Sequence, residues 1–180
     1  MNTISKKLFA TLLLFVAITA LVSSCKKDDD TTTTKTPEQV IAGTWLSQGA
    51  DVAPILLGAP LKTKKITATF NSNSTYSVVA TDSSNANTTY EGTFDADTTN
   101  VSGIYKITTT TSKVNGVAYV IESKGIFRID EAATPDYMTY EVAQTTPVIA
   151  GVTPPTAQAG FGSTSGSAFG TLNVQHFKKQ

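Results

Sequence analysis

The sequence of residues 37–180 predicts an all-β fold, an antiparallel up-and-down meander of about eight strands that closes into a small barrel. Threonine, valine, isoleucine and tyrosine recur in short runs whose apolar residues alternate with polar ones, as between Ile66 and Phe70. Alternation with a period of two is typical of antiparallel strands that turn one face to a core. Turn residues separate the runs, and Asn115-Gly116 between two of them is the strongest short hairpin signal.

The regular spacing of runs and turns predicts that each strand pairs with the next. A meander of this length closes well into a barrel, which leaves no exposed sheet edge. A β-sandwich is the alternative, in which the inward side chains meet a second sheet and leave no void. Small inward residues such as Ala68, Ala80 and Gly92 favour a barrel with interior space. The predicted strands cover residues 42–50, 61–71, 74–82, 87–95, 103–114, 117–130, 136–145 and 170–178.

Two segments interrupt the strand pattern. Thr36-Pro37-Glu38-Gln39 has the spacing of a capping box with proline at the first helical position, and it predicts a short helix. Residues 146–169 consist mainly of Pro, Gly, Ser, Thr and Ala, and they form a long loop before the last strand. Because this loop offers few large apolar side chains to hold it, we expect it to be mobile and to lie beside the barrel mouth.

The N-terminal segment has the pattern of a secretory signal. Lys6 and Lys7 precede an apolar run over residues 8–22, and small residues follow before Cys25. A charged start, a short apolar core and small residues at the cut are typical of a signal peptide. The apolar run is shorter than the roughly 20 residues that span a bilayer as a helix. We therefore predict that residues 1–24 are removed.

The signal ends in Val22-Ser23-Ser24-Cys25, which resembles the lipobox of bacterial lipoproteins. The resemblance implies that Cys25 receives a diacylglycerol on its sulfur, that the chain is cut before it, and that the new amine is acylated. Several acyl chains hold a protein stably in a membrane, whereas one holds it only marginally. Cys25 is the single cysteine, so no disulfide forms within the chain and no free thiol remains after lipidation.

The residues after the cysteine predict a tether and a destination. Residues 25–36 are charged and then threonine-rich, a composition that stays flexible. The charged part resembles the lysine-then-acidic surface-export signal of Bacteroidota lipoproteins, which implies the outer face of the outer membrane. A periplasm-facing anchor is the alternative. The residues that carry this resemblance are Lys26, Lys27, Asp28, Asp29 and Asp30.

Composition argues against several function classes. The chain has 14 basic and 14 acidic side chains, and loss of residues 1–24 takes two lysines, so no basic patch is expected to bind nucleic acid. His176 is the single histidine, and no Gly-x-Ser-x-Gly motif accompanies the serines, so we predict no enzymatic activity. The segment from Asp95 to Asn100 begins like a calcium loop, but Lys106 stands where the bidentate glutamate belongs. No metal or cofactor is predicted, and the oligomeric state stays open.

Gly43-Thr44-Trp45 enters the first predicted strand directly after the short helix and before the meander. This arrangement resembles the lipocalin-like domains of Bacteroidota lipoproteins. The resemblance implies that Trp45 plugs the closed end of the barrel and that Gly43 opens the first strand beside it. It also implies that a cationic side chain of the last strand, Lys178, covers the indole, with His176 or Phe177 as aromatic alternatives. The open end would bind a small apolar or glycan-like ligand, or a partner. The alternative is a β-sandwich interaction module without an interior pocket. A hydrolase is less favoured, since it would need carboxylates or His176 to converge in one cleft.

Two tripeptides resemble the O-glycosylation signal of Bacteroidota, in which Asp precedes Ser or Thr. They are Asp30-Thr31-Thr32 and Asp97-Thr98-Thr99. The resemblance implies glycan attachment at Thr31 and Thr98.

Overall fold

The computed structural model describes residues 34–180, in which eight antiparallel strands form a closed barrel. Each strand pairs with its neighbours in sequence, and the last strand pairs with both the first and the seventh. The predicted all-β meander is confirmed, and closure rules out the β-sandwich. The elements are α1 (Pro37–Ile41), β1 (Gly43–Gln48), α2 (Pro54–Leu57), β2 (Thr63–Phe70), β3 (Thr75–Asp82), β4 (Asn87–Thr98), β5 (Tyr105–Val114), β6 (Val117–Asp130), β7 (Tyr137–Thr146) and β8 (Gln175–Lys179).

The position of β8 corrects the sequence prediction. The last strand was expected over residues 170–178, but it runs from Gln175 to Lys179, and a 3₁₀ turn occupies Gly170–Asn173. Gly170 has a φ of +50°, which is incompatible with an extended strand and suits a turn. The last strand is therefore five residues long and includes Lys179 at its end.

The short helix α1 forms as the capping box predicts. The Thr36 hydroxyl oxygen accepts from the Gln39 amide at 3.4 Å, and the Gln39 side-chain oxygen accepts from the Thr36 amide at 2.9 Å. A helix of this length is not stable alone in water. It is held because Ile41 is fully buried in the barrel core. The helix thus covers one end of the barrel, which we call the closed end.

The closed end is filled by large side chains. Trp45 is completely buried, and its indole N–H donates to the Ile41 carbonyl oxygen at 2.8 Å. Phe94, Phe127 and Met138 pack in the same core cluster. The closed end therefore leaves the other end of the barrel, which we call the open end, as the side where a cavity can form.

The loop between β7 and β8 is packed, contrary to the mobility that we expected from its composition. Glu141, on the outer face of β7, is fully buried beneath it and accepts from the Gly162 amide at 2.6 Å and the Thr164 amide at 3.0 Å. Ala157 packs with Ile126 on the outer wall. The middle of the loop thus lies along the outside of the barrel, away from the mouth. The buried carboxyl group, which accepts from backbone amides, and the apolar contact of Ala157 together hold this part of the loop.

Candidate functional site

A cavity of about 380 Å³ occupies the open half of the barrel. It exists because inward positions that carry large side chains elsewhere are small here: Ala68 and Ala80 both line it, as the sequence suggested. Gly92 has a different role, since a Cβ added there would lie 1.9 Å from the Thr110 carbonyl oxygen. The glycine allows β4 and β5 to approach each other closely.

Aromatic rings form the floor of the cavity. The Tyr140 ring lies 6.1 Å from Phe177 in an edge-to-face arrangement and 6.5 Å from Phe70, measured between centroids. Phe70 in turn contacts Phe94 edge to face at 5.1 Å. Such pairs are favourable and fix ring orientation. The rings separate the cavity from the closed-end core that contains Trp45.

The lining is apolar with neutral polar groups and no charge. Of the described residues that line the cavity, most are aliphatic or aromatic, and none is Asp, Glu, Lys, Arg or His. The polar contributions come from hydroxyl and amide side chains. They are Thr63, Thr109, Thr111, Ser123, Gln144, Asn173 and Gln175, together with the hydroxyls of three tyrosines.

Two of these tyrosines lie deep in the barrel. The Tyr76 hydroxyl is hydrogen-bonded to the Thr111 hydroxyl, and burial raises the pKa of Tyr76. Burial also raises the pKa of Tyr140, with the nearby Tyr76 adding to the effect. Both groups therefore stay protonated at neutral pH and present O–H donors. Within residues 34–180 the Tyr140 hydroxyl makes no hydrogen bond to another residue, and Tyr140 lines the cavity. The period-two alternation places Tyr140 inward, but it gives no hint of this unpaired hydroxyl.

Gln175, on the neighbouring strand β8, holds the connection between β1 and β2 at the mouth. The Gln175 side-chain oxygen accepts from the Ala53 amide at 2.9 Å, and its nitrogen donates to the Asp51 carbonyl oxygen at 3.0 Å and to the Ser47 hydroxyl. These bonds place α2 at the mouth, where Leu56 contributes to the lining. The mouth is thus partly covered by apolar side chains on a short helix.

Large exposed apolar side chains concentrate at the open end. In residues 34–180 every such side chain lies on the mouth ends of strands or on the segments beside them, and the closed-end turns carry none. Val148 is 84% exposed and Val117 is 70% exposed. Concentrated exposed apolar surface marks places where proteins meet apolar molecules. The others are Ile55, Leu57, Leu61, Tyr119, Val120, Ile149 and Leu172.

At the closed end, the cation over Trp45 is Lys179, and the expectation of Lys178 is wrong. The Lys179 ammonium lies 5.4 Å from the centroid of the indole ring. Lys178 instead points outward, and its ammonium lies 3.2 Å from the Asp51 carboxylate. The register of β1 and β8 decides this, because it pairs Trp45 with Lys179. Gly43 lies against the same lysine, since a Cβ added there would lie 3.2 Å from the Lys179 side chain.

His176 lies on the outer face of β8, stacked on Tyr137 with ring centroids 5.3 Å apart. Burial lowers the pKa of His176, and the nearby Asp51 partly opposes this. Nδ1 of His176 is buried without a hydrogen-bond partner in the described chain. Across residues 34–180, no group of three or more His, Cys, Asp or Glu side chains is arranged to hold a metal ion.

Of the remaining predicted sites, the structure describes only Thr98. Thr98 is exposed at the end of β4, and its glycosylation stays a prediction. Cys25, the export residues Lys26 to Asp30, and Thr31 lie outside the described residues. No helix within residues 34–180 has the length and apolar character needed to cross a bilayer.

The closed eight-stranded meander with a helix at one end and a cavity at the other is a lipocalin-like barrel. Comparisons with protein-family models, with curated proteins and with solved structures gave no match.

Proposed function

We propose that the protein binds a small, largely apolar ligand inside the barrel. The observation that carries this proposal is the cavity of about 380 Å³ with an apolar, uncharged lining. Ligand sites in proteins are commonly about 300–1,000 Å³, with apolar walls and a few placed polar groups. An apolar ligand suits this lining better than a glycan, because each buried sugar hydroxyl needs its own partner.

The energetics favour modest affinity. A ligand that transfers about 300 Å² of apolar surface from water gains roughly 7 kcal/mol before the costs of association. The exposed apolar side chains at the mouth support the approach of such a ligand. Because α2 and Leu61 partly cover the mouth, release is expected to require movement of this connection.

Filling the cavity tests this function. Ala80→Leu adds volume to an inward position of β3 that lines the cavity. We expect it to reduce the affinity for a neutral naphthalene fluorophore by at least tenfold in a fluorescence titration. Val79→Leu is the matched control, because Val79 is the adjacent outward position of the same strand and does not line the cavity. Unchanged affinity in a folded Ala80→Leu variant would place the ligand elsewhere.

We also propose that the protein is a lipoprotein held in the outer membrane through Cys25, with residues 1–24 removed. Support comes from the lipobox-like sequence before the cysteine. Residues 34–36 precede α1, at the end of the barrel opposite the cavity. Cys25→Ala should abolish acyl labelling and membrane association, whereas Thr31→Ala should leave both intact. Acyl labelling of Cys25→Ala would contradict this proposal.

We further propose that the protein is displayed on the cell surface. Surface display is supported by the run from Lys26 to Asp30, and a periplasm-facing anchor is the alternative. Replacing Lys27 and residues 28–30 by alanine should preserve lipidation and remove the protein from the reach of protease added to intact cells. If protease still digests this variant on intact cells, the run is not an export signal.

A further inference from the structure

Tyr140 is held in one place by its surroundings. It projects inward from β7, where its backbone pairs with Phe127 on one side and Gln175 on the other. Its ring lies between Phe70 and Phe177 in tilted and edge-to-face contacts. Rings packed in this way have little rotational freedom, so the hydroxyl points to a fixed position in the cavity.

The Tyr140 hydroxyl has no protein partner and is open to the cavity. The neighbouring Tyr76 hydroxyl is hydrogen-bonded to Thr111. Within residues 34–180 the Tyr140 hydroxyl makes no such bond, and Tyr140 lines the cavity. Its oxygen is not enclosed by protein, since the only buried side-chain nitrogen or oxygen without a partner in these residues is Nδ1 of His176. A phenylalanine would fill the same space, so the hydroxyl is a donor available to a ligand.

The charge of the lining restricts the ligand further. Among the described residues around the cavity, no cationic side chain could neutralise a carboxylate or sulfonate, and no anionic side chain could neutralise an amine. Placing an unpaired charge in such surroundings is strongly unfavourable. The available hydrogen-bonding groups are hydroxyls and amides, which suit an uncharged oxygen.

We propose that the cavity selects an uncharged ligand whose apolar body carries a carbonyl or ether oxygen, and that this oxygen accepts a hydrogen bond from the Tyr140 hydroxyl. The proposal rests on the ligand-binding function above and makes Tyr140 its specificity-determining residue. The oxygen must lie near the aromatic floor, with the apolar body extending past Ala80 toward the mouth.

Three naphthalenes that share one dimethylamino-substituted ring system test this choice on the full chain. They are 6-propionyl-2-dimethylaminonaphthalene, which carries a ketone, its 6-propyl analogue, which lacks the acceptor, and 6-dimethylamino-2-naphthoate, which carries a charge. A neutral hydrogen bond contributes roughly 3- to 10-fold in affinity. We expect Tyr140→Phe to weaken binding of the ketone by roughly that factor and to leave the 6-propyl analogue unchanged. The naphthoate should bind wild-type protein at least tenfold more weakly than the ketone.

Two controls guard against indirect effects. Tyr137→Phe is the matched variant, because Tyr137 lies on the same strand, points outward and bonds to Asp51; it should not change ketone affinity. The emission of the ketone moves to longer wavelength when its oxygen accepts a hydrogen bond. The bound ketone should therefore emit at shorter wavelength in Tyr140→Phe than in wild type.

The outcomes separate the two proposals. If Tyr140→Phe affects the ketone and the 6-propyl analogue equally, or if the naphthoate binds as well as the ketone, the selection by Tyr140 is wrong while ligand binding stands. If wild-type protein binds none of the three, ligand binding in the cavity and the role of Tyr140 both fail. Should Tyr140→Phe not fold, the emission of the ketone bound to wild-type protein decides the question. Emission at the long wavelength of a hydrogen-bonded ketone supports the proposal, and emission at the wavelength seen in a solvent without hydrogen-bond donors overturns it.

Discussion

Replacing Trp45 by alanine perturbs the closed end at its largest side chain. Trp45 is completely buried, its N–H bonds to Ile41, and the Lys179 ammonium lies over its ring. Loss of a core tryptophan typically costs about 3–5 kcal/mol. Leaving the Ile41 carbonyl without its partner adds about 1 kcal/mol. The free energy of unfolding of Trp45→Ala should therefore fall by about 4–6 kcal/mol, out of the roughly 5–15 kcal/mol of an ordinary domain.

The expected shift is large enough to measure by thermal unfolding. For a domain of this size, 1 kcal/mol corresponds to about 2–4 °C in Tm, so Trp45→Ala should lower Tm by roughly 10–20 °C. Far-ultraviolet circular dichroism reports the loss of strands without relying on the removed fluorophore. Trp45→Phe is the control, since it keeps an aromatic ring and should lose much less stability. A Trp45→Ala protein that melts within about 2 °C of wild type would show that the indole does not hold the closed end together.

Three further outcomes follow from individual contacts. Lys179→Met should destabilise the fold by about 1 kcal/mol, because it removes both the cation over Trp45 and the ion pair with Asp136 at 3.1 Å. Lys178→Met removes only the partly exposed ion pair with Asp51 and should have little effect in the same melts. Glu141→Gln replaces an acceptor oxygen by a donor that faces backbone amides. Amide exchange should therefore accelerate across residues 147–169 while the strands stay protected. Unchanged exchange in these residues would show that Glu141 does not hold the loop. Burial raises the pKa of Tyr140 above its ordinary value of 10.0, so above that pH the folded chain retains a proton that the unfolded chain loses. The free energy of unfolding should therefore fall as the pH rises above 10.0. Tyr140→Phe should reduce this dependence on pH in denaturant titrations, and an unaltered dependence would contradict the raised pKa of Tyr140.

Much of the barrel was predictable because its strands are locally consistent. The alternation from Ile66 to Phe70 is reproduced as buried and partly exposed positions along β2. Asn115 and Gly116 both take positive φ angles, of 51° and 77°, as a tight hairpin between two twisted strands requires. In these segments, side-chain pattern and turn chemistry indicate the same structure, so no information from distant residues is needed.

The predictions that were wrong concern features that depend on contacts between residues distant in the sequence. Two adjacent lysines end β8, and local sequence cannot tell which of them faces Trp45, because the register against β1 sets the choice. Glu141 resembles an ordinary outward strand residue until Gly162 and Thr164 cover it with their amides. The sequence shows neither the approach of the loop nor the burial of the Glu141 side chain that it produces.

The sequence predicts that the barrel has interior space, but not the chemical character of the cavity. Ala68 and Ala80 indicated interior space, since small inward side chains leave a barrel unfilled. Its neutral character depends on which inward residues share one level of the barrel, and that level depends on the stagger of neighbouring strands. The unpaired hydroxyl of Tyr140 is a property of this three-dimensional arrangement and has no counterpart in the local pattern.

The central claim, that a neutral apolar ligand occupies the interior of the barrel, is tested most directly by methyl NMR spectra recorded during titration with 6-propionyl-2-dimethylaminonaphthalene. The account predicts saturable shifts of the cavity-lining methyl groups of Ile66, Val78 and Val142, with the outward methyl group of Val79 unaffected. Shifts confined to the exposed rim, such as Val117 and the segment 147–149, would contradict it and place the ligand on the outside of the protein.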